Sequence, residues 1–173
     1  MKNILLTESQ MKLILKEEEK NDLIQTLIFS KPEDISFKMT DGTFGIPVSR
    51  RFMFLIPVIN GVEIPRELVN LDCEEYNVDD ELFWQLHIRI NDKIQRLGIA
   101  EKIYTAFILS GNKVVSIFKN RASSFYVEKG KKIDSDNAIS GLWEKLKQNP
   151  KIEIFQLGDS EGNVIGVTGE LKR

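Results

Sequence analysis

Nine consecutive residues, Leu82-Phe83-Trp84-Gln85-Leu86-His87-Ile88-Arg89-Ile90, alternate between two sets of side chains. A period of two is the period of a β-strand. It puts Leu82, Trp84, Leu86, Ile88 and Ile90 on one face and Phe83, Gln85, His87 and Arg89 on the other. Shortly after, the period changes. Ile99, Ile103 and Phe107 make one helical row, and Ala100, Tyr104 and Ile108 the adjacent one. Ser110-Gly111-Asn112 ends that helix, and Lys113 to Phe118 reads as a second strand. A strand, a short glycine-bearing loop, a helix and a strand make an α/β unit.

The rest of the chain builds around this unit. Thr7-Glu8-Ser9-Gln10 has the spacing of a capping box, which opens a helix through Met11, Leu13 and Ile14 into Lys16 to Lys20. A second, shorter helical piece is expected from Asp22 to Phe29, before Ser30-Lys31-Pro32. Ile35 to Met39 alternates as a strand. Arg51 to Ile59 and Val62 to Ile64 flank Asn60-Gly61, the strongest short hairpin signal, with Pro57 marking an edge position or a bulge. The acidic stretch from Asn70 to Asp80 reads as an exposed loop. Ile139, Leu142, Trp143 and Leu146 give an amphipathic helix ending near Pro150, and Ile152 to Val167 a terminal hairpin. The expected organisation is a helical arm over residues 1–20 and one α/β domain over 21–173.

At 173 residues, with 42% hydrophobic and 29% charged residues, the chain can bury one core. Its net charge of −2 provides no basic field for nucleic acid, and Arg50-Arg51 and Lys129 to Lys132 are only short basic groups. The single cysteine, Cys73, excludes an internal disulfide and a multi-cysteine metal site; its acidic neighbours would raise its pKa. No apolar run approaches the roughly 18 residues of a membrane span, and MKNILLTESQ lacks a small-residue cleavage site. A soluble, intracellular chain is expected.

Between the first strand and the helix lies Gln95-Arg96-Leu97-Gly98-Ile99-Ala100. The first N–H groups of a helix lack intrahelical partners and, with the positive end of its dipole, attract an anion. Gly98 and Ala100 would let a phosphate approach the backbone, and Arg96 would add a contact at the rim. Gln95-x-x-Gly98-x-Ala100 after an alternating strand resembles the acyl-CoA-binding motif of the GNAT acetyltransferase superfamily. The order of elements from Phe52 to Val167 is similar to that superfamily's as well. The resemblance implies a mixed, mostly antiparallel central sheet flanked by helices. It implies a strand, here Leu82 to Ile90, that splays from the next, Lys113 to Phe118, to admit the pantetheine arm of acetyl-CoA. A backbone N–H near His87 or Ile88 would polarise the thioester carbonyl.

The resemblance also implies a carboxylate base and a tyrosine acid. Two registers compete for the acid. Ala122-x-x-x-Tyr126-x-x-x-Gly130 matches the family's A-x-x-x-Y-x-x-x-G and would make Tyr126 the acid. Asn137-Ala138 with Leu142-Trp143-Glu144-Lys145-Leu146 matches another part of its pattern and puts Trp143, whose indole does not titrate, in the tyrosine's place. The second register sets the terminal hairpin directly after the helix and is preferred. Glu81 and Glu63 are candidate bases, although most such carboxylates are surface groups. His87, the only histidine, is a further candidate, and is read first as a partly buried, hydrogen-bonded structural residue. Asp134 to Asn137 is better explained by helix capping than as a calcium loop; no metal site is expected.

Ile4-Leu5-Leu6-Thr7-Glu8-Ser9-Gln10-Met11-Lys12-Leu13-Ile14 resembles the opening segment I-x-L-T-E-S-Q-L-x-x-I of proteins from crAss-like tailed bacteriophages. With the missing tyrosine, this resemblance implies a structural virion component that keeps a GNAT-like shape without its catalysis, such as a part of the head–tail connector. Its partners would be other virion proteins and copies of itself in a ring, with no membrane and no direct nucleic-acid contact. The alternative is an acetyl-CoA-dependent N-acyltransferase acting on an amine in the cytoplasm. A CoA-binding module without catalysis would share the same site.

Overall fold

A computed structural model of the chain describes residues 8–42, 51–78, 80–117, 126–128, 141–158 and 164–172. Thr7, the ends of the Tyr126 register at Ala122 and Gly130, the stretch from Asp134 to Ile139, Arg50, Lys129 to Lys132 and the polar turn around Gly162 lie outside the described residues.

Helix α1 (Glu8–Phe29) is one unbroken helix rather than two pieces. Lys and Glu are strong helix formers, and neither glycine nor proline occurs before Pro32, so the charged run continues the helix instead of ending it. The boundary drawn at 20/21 therefore falls inside α1. Lys16 to Glu19 are exposed, whereas Leu23, Ile24, Leu27 and Ile28 pack on the core. A 3₁₀ turn at Pro32–Asp34 then leads into the sheet.

The strands are β1 (Ile35–Asp41), β2 (Phe52–Ile59), β3 (Val62–Glu63), β4 (Val69–Val78), β5 (Glu81–Ile90), β6 (Lys113–Ile117), β7 (Tyr126–Glu128), β8 (Ile152–Gly158) and β9 (Val164–Leu171). They form one sheet in the order β1-β2-β4-β5-β6-β9-β8-β7, with β3 beside β2. Every pairing is antiparallel except β5 with β6. These two are joined by α2 (Ile99–Leu109), as a parallel pair requires. Helix α3 (Gly141–Lys147) precedes the terminal hairpin.

The acidic stretch after Asn70 is β4, a full ten-residue strand and not a loop. Val69, Leu71 and Cys73 are wholly buried, while Asn70, Asp72 and Glu74 alternate with them on the opposite face. Three acidic side chains, Asp72, Glu74 and Glu75, disguised a period of two. Cys73 accordingly sits in the core, where burial first, and then Asp72 and Glu75, push its thiol up to about 12.

Pro57 is internal, since β2 lies between β1 and β4. It is tolerated because β2–β4 pairing ends at Leu55 and the Pro57 carbonyl, on that same side, accepts from Ile64 N–H at 2.8 Å. The missing N–H thus falls between two partners. Asn60 and Gly61, at φ +52° and +81°, make the expected two-residue hairpin turn.

The main core lies between one face of the sheet and the helices, with Met53, Leu55, Leu71, Trp84, Leu86, Ile103, Phe107 and Val114 inside. Trp143 and Leu146 of α3 close it near β9. A smaller cluster on the other face joins Tyr76, Phe83, Val115 and Leu157. Two glycines of β9 allow close approaches: a Cβ at Gly166 would collide with the Ser116 carbonyl oxygen, and one at Gly169 would lie 3.0 Å from the Trp143 ring.

Candidate ligand-binding cleft

Parallel strands β5 and β6 pair only at their beginnings, Phe83 to Gln85 against Lys113 to Val115. Beyond Gln85, β5 runs on to Ile90 while β6 pairs only with β9. The two strands have parted. Asn91 N–H donates to the Leu68 carbonyl, which fixes the alternation: odd-numbered backbone groups of β5 face β4, and those of Leu86, Ile88 and Ile90 face the gap. Of the two N–H groups at His87 and Ile88, only that of Ile88 faces the gap; that of His87 points to β4.

Two of the carbonyls on this edge are occupied. The Tyr104 hydroxyl donates to Leu86 at 3.2 Å, and Gln95 Nε2 donates to Ile90 at 3.2 Å and to Asp92 Oδ1 at 2.7 Å. Gln95 therefore uses its side chain to close the turn after β5. Tyr104 is buried against the edge of the Trp143 ring, centroids 5.9 Å apart, and burial pushes its phenol up to about 12. It is a fixed hydrogen-bond donor at neutral pH rather than a proton source.

A cleft of about 660 Å³ opens along the parted edge, with Leu86, Ile88, Ala100, Tyr104 and Leu142 on the helical side. A neighbouring hollow of about 320 Å³ continues past Ala100 and Leu142 to Arg96, Gly98, Glu101 and Lys145. The second hollow is the N-terminus of α2. Gly98 caps the helix at φ +73°, and open space lies where its Cβ would stand. Arg96, at φ +66°, adopts the same left-handed conformation without glycine's freedom. Lys102 N–H is the first to bond within the helix, to the Gly98 carbonyl, so those of Ile99, Ala100 and Glu101 lack intrahelical partners. Glu101 opposes an anion here, and its pairing with Lys145 at 3.4 Å offsets that charge.

The cleft also reaches the outer face of the sheet, where Phe52, Asp72, His87 and Arg89 line it. In register, Phe54, Asp72 and His87 form one row across β2, β4 and β5. Arg66 stacks over the Phe54 ring at 4.5 Å. Burial pushes the Asp72 carboxyl above its ordinary value, against the pull of His87, Arg89 and Arg66. His87 is exposed, not the partly buried histidine expected, because nothing among the described residues covers this part of the outer face.

The remaining candidates fall elsewhere. Glu81 stands at the far end of β5, bound to Lys113 at 2.6 Å, and Lys113 also holds Glu170 at 3.0 Å. Glu63 is an exposed partner of Lys38. Tyr126 lies on strand β7, paired with Gly158 of β8. Trp143 is 2% exposed and packs as core. Asp72 is not among the residues the sequence points to, because its acidic stretch reads as a loop; the alternation of Leu71 and Cys73 is the signal that marks it as a strand. Among the described residues no group of three or more His, Cys, Asp or Glu side chains is gathered for a metal ion, and no helix is long and apolar enough to cross a membrane.

Comparisons of the chain with protein-family models, with curated proteins and with solved structures find no match. What the site defines is therefore carried by its geometry: a mixed α/β domain whose sheet parts to form a cleft ending at a helix N-terminus.

Proposed function

We propose that this chain is a GNAT-like domain that binds an acyl-CoA along the parted edge of β5 and transfers the acyl group to an amine. The single observation that carries the reading is the end of β5–β6 pairing at Gln85, which opens a cleft running along β5 to the N-terminus of α2 at Ala100. The mixed, mostly antiparallel sheet, with β5 and β6 as its one parallel pair among the described strands, supports the same reading.

On this reading the free N–H groups of α2, with Arg96 and Lys145, hold the pyrophosphate. The pantetheine arm extends the edge of β5, and the Ile88 N–H donates to the thioester oxygen. An ammonium arriving on the outer face loses one proton to water; the free amine attacks the carbonyl carbon, Asp72 takes the second N–H proton, and the tetrahedral intermediate expels the thiolate. A thiolate needs no dedicated acid to leave, since a free thiol's pKa is about 8.5; water returns its proton. Burial of Asp72 raises its basicity for this task.

A second reading is favoured by Trp143: with an indole buried at the position where the family resemblance expects a tyrosine, the domain serves as a non-catalytic structural component of a tailed phage, at the head–tail connector, with virion proteins and its own copies as partners. Melting with about 1 mM acetyl-CoA, free CoA as control, separates the two. Binding at 100 times the dissociation constant adds about 2.7 kcal/mol, roughly 5–10 °C at this size. No shift would overturn the acyl-CoA reading and leave the architectural one.

A further inference from the structure

The outer mouth of the cleft has a charge pattern that the acyl donor does not use. Asp72 and His87 are direct cross-strand partners, and Arg89 lies diagonal to Asp72, two residues along the same face of β5. Cross-strand diagonals are spaced about 7–8 Å apart at their Cα atoms, so the two side chains can converge on one small molecule. Arg89 is exposed and forms no ion pair with any described residue, although it borders the same cleft as Asp72. Arg66 adds a second cation beside the Phe54 ring, on the other flank of Asp72. One carboxylate for an ammonium, flanked by cations for an anion, matches a zwitterion. It does not match a polyamine, which would meet Arg89 and Arg66 as like charges.

Resting on the acyl-transfer reading, we propose that the acceptor is a small amine that also carries a carboxylate, of the size of a free amino acid, with its amine at Asp72 and its carboxylate at Arg89. A bidentate guanidinium–carboxylate pair fixes the amine's orientation, because the arginine fork meets both carboxylate oxygens. The half-buried Phe52, also lining the cleft, offers an apolar contact for the remainder of the molecule.

His87 is the only histidine, so its imidazole protons give one resolved reporter inside the proposed subsite. The twenty free amino acids, their carboxamides and spermidine are titrated one at a time into the intact chain, with and without CoA. The expected result is a saturable shift of the His87 signal by one or a few free amino acids. Matched carboxamides should bind at least tenfold more weakly. Arg89→Gln should bring acid and amide to within about threefold of each other, and Arg89→Lys should restore part of the preference. Equal or tighter binding of the carboxamides or of spermidine overturns the proposal, as does an unmoved His87 signal throughout. Acetyl-CoA is tested separately by melting. If it fails to bind while a free amino acid still shifts His87, the acyl-transfer reading falls and the amino-acid site stands.

Discussion

The hydroxyl of Tyr104 donates to the main-chain carbonyl of Leu86 at 3.2 Å, across the point where β5 leaves β6. A β-strand edge inside a protein needs partners for its polar groups. Here a side chain from the crossover helix supplies one where the neighbouring strand has turned away, so the parting is built into the fold. Tyr104→Phe should lower stability by about 1–2 kcal/mol in denaturant unfolding, the cost of a buried acceptor left without its donor.

The same phenol predicts an alkaline limit. Its pKa is about 12 in the folded chain against about 10 when free, so the folded state holds the proton longer. Its contribution is complete below about pH 10 and disappears as pH rises through about 12. Cys73, at about 12 against 9.0, acts in the same direction from lower pH. Stability measured from pH 8 to 11 should fall with rising pH, and Tyr104→Phe should flatten the upper part of the curve.

Arg96 and Gly98 should respond in opposite senses. Arg96→Gly removes a left-handed side-chain penalty of about 1 kcal/mol, and melting should rise, while affinity for acetyl-CoA should fall with the lost charge. Gly98→Ala imposes a penalty of about 1 kcal/mol at φ +73° and adds a methyl to the cradle, so both melting and affinity should fall.

Asp72→Asn should abolish thiol release from acetyl-CoA with an amine acceptor while leaving acetyl-CoA binding within about threefold. Burial raises this carboxyl's pKa, so ionisation costs the fold some stability above that pKa and none below the unfolded value. The asparagine variant should therefore be at least as stable as the parent at pH 7. A rate unaffected by this substitution would remove Asp72 from the reaction.

Lys102 joins α2 to the end of α1, its Nζ donating to the carbonyls of Leu27 at 2.9 Å and Ile28 at 2.6 Å. These are carbonyls at a helix C-terminus, where a cation also meets the negative end of the dipole. Lys102→Met should cost about 1–2 kcal/mol, and amide exchange should accelerate first in the last turn of α1.

The sequence by itself determined the local elements whose signal is local. The alternation of β5, the two rows of α2, the Asn60-Gly61 turn, the stop at Gly111 and the terminal hairpin all follow from side-chain period and backbone freedom. The QRLGIA segment is where it was expected, at a helix start with open space beside Gly98. Where charge hid the period, in β4, or favoured helix over an expected break, in α1, the reading failed. Only the tertiary structure decided what faces what. That β5 and β6 separate after three pairs, that Tyr104 occupies the Leu86 carbonyl at the gap while Glu81 is drawn away to Lys113, and that Asp72, His87 and Arg89 meet on one mouth all depend on strand register. Register is fixed by the packing of residues distant in sequence, such as Leu71 beside Ile88 and Val114 beside Gly169, and no local pattern records it.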